Sequence, residues 1–200
     1  MAIRYGASAV GLVSAMPSGP GPISEEKITE IARTIPPGVT SVLLTSKRDA
    51  ESIIVQQKRC RVNAIQMVDR VDPGTYRLLR ELLPGVTLIQ VIHVNGRASV
   101  DEALRLDGEV NALLLDSGNP MLPVKELGGT GRVHDWTISR TIRESVNIPV
   151  YLAGGLRPEN VRMALNEVGP FAVDVCSGVR TGGKLDEGKL QRFMEEVVGG

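Results

Sequence analysis

The sequence predicts an α/β fold of the TIM (β/α)₈ type, with about seven strands visible. Short apolar runs alternate with amphipathic stretches, and the strand starts recur at intervals typical of a βα unit. Polar or glycine-rich residues follow several of the strands, as they do in barrels that build their sites from many strand ends. The alternative is a doubly wound open sheet, which concentrates its site at one switch point. The barrel is favoured.

The predicted elements follow the apolar pattern along the chain. The strands are expected at Ala9–Val13, Ser41–Leu44, Ala64–Val68, Leu88–Val94, Ala112–Leu115, Val150–Ala153 and Val173–Cys176. Helices lie between them, and their starts are indicated by Ser24, Pro73, the capping-box spacing Ser99 to Glu102, Asp135 before Trp136, Pro158 and Asp186. No linker or low-complexity stretch interrupts residues 1–200, which predicts one domain.

Composition excludes several functional classes. The formal net charge of the 200 residues is zero, so the electrostatics favour neither nucleic acid nor an anionic membrane. The two cysteines, Cys60 and Cys176, match no metal-ligand spacing, and no metal or cofactor is expected. No apolar run is long enough to cross a bilayer, and the N-terminus lacks a signal peptide's apolar core. A cytoplasmic enzyme is the expectation.

Three strand ends carry the residues that point to chemistry. Asp116 ends an apolar strand on the face that Leu114 shares, which would be the barrel interior. Gly154, Gly155, Ser177 and Gly178 are small residues whose neighbouring N–H groups could approach an anion. One carboxylate beside two such junctions predicts chemistry on a phosphorylated small molecule. The same residues could instead serve only as turns and a helix cap.

Four segments in order closely resemble the phosphoribosylanthranilate isomerase family of tryptophan biosynthesis. They are Leu113-Leu-Leu-Asp-Ser, Gly128-Gly-Thr-Gly-Arg-Val-His-Asp-Trp136, Leu152-Ala-Gly-Gly-Leu-Arg-Pro-Glu-Asn-Val161 and Val173-Asp-Val-Cys-Ser-Gly-Val179. The resemblance implies a (β/α)₈ barrel and an Amadori rearrangement of N-(5-phosphoribosyl)anthranilate to its 1-deoxyribulose isomer. It implies phosphate binding at Gly154, Gly155, Ser177 and Gly178.

The resemblance also assigns the reacting groups. Asp116 matches the general acid that protonates the ribose ring oxygen, and the loop residues Gly129, Thr130 and Gly131 together with Asp174 are expected to contact substrate. The family's general base is a Cys at the end of the first strand. The sequence is expected to start after that strand, so the first βα segment of the barrel is missing and no residue here inherits the Cys role. Cys176 is the candidate substitute base, against a simple buried thiol.

Two departures from the family keep other functions open. Pro17–Ser24 lacks the Arg that is available for the anthranilate carboxylate, and Gln66–Asp69 loses a His. The alternatives are a catalytically impaired phosphosugar-binding barrel and another sugar-phosphate isomerase on the same scaffold. The open edges beside Ala9–Val13 and Val173–Cys176 predict a homodimer that closes the barrel seam, in preference to closure at seven strands or recruitment of a local segment.

Overall fold

A sheet of seven parallel strands forms the centre of the molecule. The computed structural model describes residues 1–17, 19, 21–119, 121–127 and 131–199. The strands are β1 (Ala9–Val13), β2 (Thr40–Thr45), β3 (Ala64–Met67), β4 (Thr87–His93), β5 (Ala112–Asp116), β6 (Val150–Leu152) and β7 (Ala172–Val173). They pair in chain order from β1 to β7 without a reversal, as in a TIM-type barrel, whereas a doubly wound sheet reverses its strand order.

A helix follows each strand and returns the chain to the start of the next one. The helices are α1 (Glu25–Ala32), α2 (Ala50–Cys60), α3 (Thr75–Leu82), α4 (Ala98–Leu106), α5 (Trp136–Ser145), α6 (Val161–Val168) and α7 (Glu187–Val198). A 3₁₀ helix at Ser177–Val179 and a short hairpin, β8 (Arg180–Thr181) and β9 (Lys184–Leu185), lie between β7 and α7. No helix among the described residues is long and apolar enough to span a membrane.

Side-chain caps confirm three of the predicted helix starts. Ser24 accepts a hydrogen bond from the Lys27 N–H at 3.3 Å, and Asp135 accepts one from the Thr137 N–H at 2.9 Å. Asp186 caps α7 in the same way, accepting from the Lys189 N–H at 3.0 Å. Such caps satisfy amide groups that have no partner within the helix.

Two other predicted starts and one strand are wrong in position. Helix α4 begins at Ala98, so Ser99 lies inside the first turn, where its hydroxyl accepts from the Asn95 N–H at 3.2 Å. Pro158 precedes α6 by three residues because Asn160, whose amide side chain bonds Arg157 N–H and Gly155 C=O, occupies the turn before Val161. Strand β7 ends at Val173, since the chain then turns into the 3₁₀ helix.

Apolar side chains pack on both faces of the sheet, as parallel strands require. Leu113 and Leu115 of β5 belong to the larger cluster between the sheet and the helices. Ala112 and Leu114 belong to a smaller cluster on the opposite, inner face, together with Ala153 after β6. By alternation Asp116 continues the inner face, as predicted from the sequence.

The segment before β1 packs against the last helix of the chain. A 3₁₀ helix at Ala2–Tyr5 packs against α7, and the Tyr5 hydroxyl donates to Glu187 Oε1 at 3.0 Å. A side chain at Gly6 would contact Met194 Cε at 3.4 Å. Within the part of the chain that is described, no hydrogen-bonded ladder joins β7 to β1.

Candidate active site

A pocket opens at the carboxyl ends of β5, β6 and β7. It is lined by Asp116, Gly131, Ala153, Gly154, Gly155, Leu156, Asp174, Val175, Cys176 and Ser177. Six predicted site residues thus share one pocket, and Gly178 lies directly behind it, packed on the Leu156 carbonyl. Gly129 and Thr130 lie outside the described residues. A wider groove between α1 and α2, bordered by Glu25 and Arg59, contains no predicted site residue.

Asp116 is held at the end of β5 by its own turn. Its Oδ1 accepts a hydrogen bond from the Ser117 N–H at 2.7 Å, and its backbone C=O accepts from Val94 N–H at 2.9 Å. The residue is 9% exposed and lines the pocket. The Asp116 carboxyl group, which accepts a hydrogen bond from the Ser117 N–H, therefore faces any molecule bound in the pocket.

The glycines at 154 and 155 allow close packing around that carboxyl group. Gly154 has a φ of +81° and Gly155 a φ of +64°, a backbone region in which side chains are strained. A Cβ at 154 would lie 3.1 Å from Asp116 Oδ1, and one at 155 would lie 2.6 Å from the Arg132 carbonyl. The segment before α5 therefore crosses directly over the β6 junction.

Asp174 carries the strongest electrostatic perturbation in the pocket. Its side chain is open to the pocket, but the surrounding protein displaces water from it. This desolvation and the nearby Asp116 charge raise the pKa of Asp174 to about 6, although a hydrogen bond from the Val175 N–H opposes the change. A group that titrates near neutrality beside a second carboxyl group is typical of functional sites.

Ionised Asp174 is expected to cost stability. Its folded-state pKa lies above the unfolded value, so stability falls as the pH rises from about 4 to about 6 and stays lower above that range. We expect Asp174→Asn to raise the Tm at pH 7 but not at pH 4. The corresponding gain in the free energy of unfolding at pH 7 should be below about 1 kcal/mol once solvent screening is included. Thermal unfolding of both proteins across this range measures the difference.

Asp186→Asn provides the matched control, because hydrogen bonds from Thr181 and Lys189 lower the pKa of Asp186. Its ionised form stabilises the fold, so the Tm difference between Asp186→Asn and the wild type should shrink as the pH falls. A Tm difference for Asp174→Asn that does not change with pH would contradict the expected ionisation.

Cys176 lines the pocket, where burial raises the pKa of its thiol while Arg180 opposes the rise. A raised pKa reduces the thiolate fraction at neutral pH, which disfavours Cys176 as a substitute base. Cys60, at the end of α2, is fully buried, and burial raises its pKa to about 11, as expected of a structural thiol.

Two features at the carboxyl ends of the strands were not predicted from the sequence. Lys125, in the segment after β5, forms an ion pair with Asp69 at the end of β3. His134 Nδ1 lies 3.0 Å from the position that a Cβ of Gly154 would take, close to Asp116. Lys125 is 56 residues from Asp69 in sequence, and no local pattern relates the two residues.

Comparison with known proteins shows the family of the chain. The family model described as N-(5'-phosphoribosyl)anthranilate (PRA) isomerase matches residues 3–196. The N-(5'-phosphoribosyl)anthranilate isomerase of Methanocella arvoryzae is 34% identical over 193 residues, which cover 96% of this chain and 88% of the relative.

Two solved structures share the fold over almost the whole chain. One is a phosphoribosyl anthranilate isomerase in complex with reduced 1-(o-carboxyphenylamino)-1-deoxyribulose 5-phosphate. It has a TM-score of 0.78 at 29% identity, covering 99% of this chain and 91% of its own. The other contains monomers generated from the dimeric isomerase of Thermotoga maritima, with a TM-score of 0.79, 28% identity and the same coverage. The chain belongs to the phosphoribosylanthranilate isomerase family of tryptophan biosynthesis and is an isomerase.

Proposed function

We propose that Asp116 is the general acid of an Amadori rearrangement that converts N-(5-phosphoribosyl)anthranilate to the 1-deoxyribulose 5-phosphate isomer. The observation that carries the proposal is the position of Asp116 in the same pocket as the Gly154–Gly155 and Ser177 junctions. A phosphate held at those junctions would leave the sugar ring within the pocket that Asp116 faces. The family match favours this function over an inactive phosphosugar-binding barrel or a different sugar-phosphate isomerase.

The first chemical step needs one proton. Protonated Asp116 would donate to the ring oxygen as the C1–O bond breaks, while the lone pair of the anthranilate nitrogen forms the C=N bond of a Schiff base. Removal of the C2 proton then gives the enolamine, which tautomerises to the ketone. Asp174, on the neighbouring strand end, is proposed to contact the substrate, together with Gly129, Thr130 and Gly131 of the loop before α5.

An isomerase assay on the 200-residue chain tests the function. Consumption of N-(5-phosphoribosyl)anthranilate and appearance of its 1-deoxyribulose isomer are followed together, with buffer and Asp116→Asn protein as backgrounds. Turnover of the wild-type chain above both backgrounds supports the proposal. A wild-type rate equal to the rate with Asp116→Asn would refute it.

The phosphate group is proposed to lie between Gly154–Gly155 and Ser177–Gly178. The 3₁₀ helix starts at Ser177, and the first N–H groups of such a helix have no partner within it, so they could bind an anion that the small side chains let approach. Gly131 packs over the same point, since a Cβ at 131 would be 3.7 Å from Ser177 Oγ. The loop before α5 would therefore cover the bound phosphate.

We expect Ser177→Asp to weaken phosphate binding at least about tenfold through like-charge repulsion at close range. Ser177 is exposed, so a slightly larger side chain can be accommodated there. Ser177→Asn has the same shape without the charge and is the matched control, with a smaller expected loss. Isothermal titration with inorganic phosphate and ribose 5-phosphate measures both variants. Equal phosphate affinities for Ser177→Asp and Ser177→Asn would contradict a phosphate site at Ser177. Gly155→Asp is a poorer probe, because its Cβ would displace Arg132 and Val133.

We propose that the protein forms a homodimer that closes the seam between β1 and β7 and that it acts in the cytoplasm. Ala9 and Gly11 of β1 are exposed, and Phe171, next to β7, is 72% exposed. Unpaired strand edges of this kind pair readily with another chain. Light scattering at micromolar concentration is expected to give about twice the chain mass, and a monodisperse monomer would contradict the dimer.

A further inference from the structure

Nδ1 of His134 is one of the buried polar atoms that have no hydrogen-bond partner among the described residues. A buried N–H or ring nitrogen without a partner destabilises the folded protein. In native proteins such atoms are rare and often belong to a functional site. The position of this atom is therefore informative.

The other ring nitrogen of His134 has a clear partner. Its Nε2 lies 2.6 Å from the hydroxyl of Ser139, which is fully buried on the first turn of α5. That hydroxyl makes no other hydrogen bond within residues 1–17, 19, 21–119, 121–127 and 131–199, so Nε2 is the one acceptor for its proton. If Nε2 carried a proton instead, the hydroxyl proton would be buried without an acceptor. The pair therefore favours the tautomer with the proton on Nδ1.

The ring is neutral at physiological pH. Burial lowers the pKa of His134 and outweighs the opposing charges of Asp116 and Asp135. Nδ1 of this neutral ring is then a hydrogen-bond donor with no acceptor among the described residues.

The Asp116 carboxyl group lies close to this nitrogen, and its charge acts on His134 more strongly than that of Asp135. His134 Nδ1 and Asp116 Oδ1 pack over the same face of Gly154, at 3.0 and 3.1 Å from the position a Cβ would take. The Ser117 N–H already donates to this Oδ1 at 2.7 Å. A second donor on the same oxygen would place the acidic proton on the other oxygen, Oδ2.

We propose that His134, held in the Nδ1–H tautomer by Ser139, is a positioning residue that donates a hydrogen bond to Asp116 during the reaction. The inference depends on the proposed role of Asp116 as general acid. When Oδ2–H gives its proton to the ring oxygen, the carboxyl group becomes a carboxylate, and a donor already at Oδ1 stabilises the new charge. Such a bond is stronger in the transition state than in the ground state, so its loss lowers kcat and leaves KM almost unchanged.

The test uses His134→Phe, which keeps an aromatic ring and removes both nitrogens. We expect kcat to fall between about tenfold and a hundredfold, the range for a hydrogen bond to a charged group, with KM within about twofold of wild type. Ser139→Ala should give a smaller loss of kcat. In the His134→Phe background it should give none, because Ser139 acts only through His134. A purely structural role would give additive losses, and full kcat in His134→Phe would overturn the inference.

A second measurement does not depend on activity or on a variant that folds. The ¹⁵N chemical shifts of His134 in the full chain without substrate are expected to show a protonated Nδ1 and an unprotonated Nε2. Protonation at Nε2 would refute the proposed tautomer. If Asp116→Asn retains full activity, the proposed acid fails. If Asp116→Asn is inactive while His134→Phe is fully active, only the present inference fails.

Discussion

Asp116→Asn is expected to reduce kcat by roughly 10²–10⁴-fold and to leave the fold intact, because an amide cannot deliver the proton that opens the ring. The Asn side chain has the same shape, and its oxygen can still accept the hydrogen bond that the Ser117 N–H gives to Asp116. KM should change little, since the loss falls on the transition state. Steady-state kinetics combined with circular dichroism measure the two properties separately.

Asp135→Asn is the matched control for this substitution. Asp135 caps α5 outside the pocket by accepting a hydrogen bond from Thr137, and Asn is an equally good N-cap. Its kcat should stay close to that of the wild type. A loss below tenfold in Asp116→Asn, or an equal loss in Asp135→Asn, would remove Asp116 from the mechanism.

Gly178→Ala is expected to destabilise the protein by about 3 kcal/mol, at the upper end of what an added methyl group costs in a packed interior. A Cβ at 178 would overlap the carbonyl of Leu156 and come within 3.0 Å of Arg157 Cα. Both neighbours are backbone, so no side chain can rotate away. The β6 and β7 junctions that would hold phosphate must then move apart, and phosphate binding should fall together with stability.

Urea unfolding measures this effect, and Gly188→Ala is its control. Gly188 lies in α7, where a Cβ would meet only side-chain atoms at 3.6 Å or more. Alanine is the better helix former, so this variant should gain up to about 1 kcal/mol. A Gly178→Ala protein as stable as the wild type would show that the two junctions are not in rigid contact.

The parts of the structure that depend on local pattern could be predicted from the sequence. The strand order and the starts of α1, α5 and α7 follow from apolar periodicity and from caps such as Asp135, and alternation along β5 places Asp116 inside. The predicted start of α4 at Ser99 is wrong, because the Ser99 hydroxyl accepts a hydrogen bond from the Asn95 N–H and not from the Glu102 N–H, as a capping box requires. Local spacing cannot reveal which of these contacts forms.

The polar contacts around the pocket depend on distant parts of the chain and could not be predicted. Asp69 and Lys125 form an ion pair but belong to separate βα units. No pattern in the sequence near either residue indicates the other. The pKa of Asp174 is raised by burial and by the charge of Asp116 two strands away. His134 resembles an ordinary loop residue until the fold brings it over Gly154.

The contact between the first turn and the last helix also has a consequence for how the protein folds. Tyr5 and Glu187, whose side chains are hydrogen-bonded, are separated by 182 residues, whereas each strand pairs with the next along the chain. Local βα units can therefore form early, because they close short loops at low entropic cost. The contact between the two chain ends closes the longest loop and should form late. Packing of α7 would then complete cooperative folding.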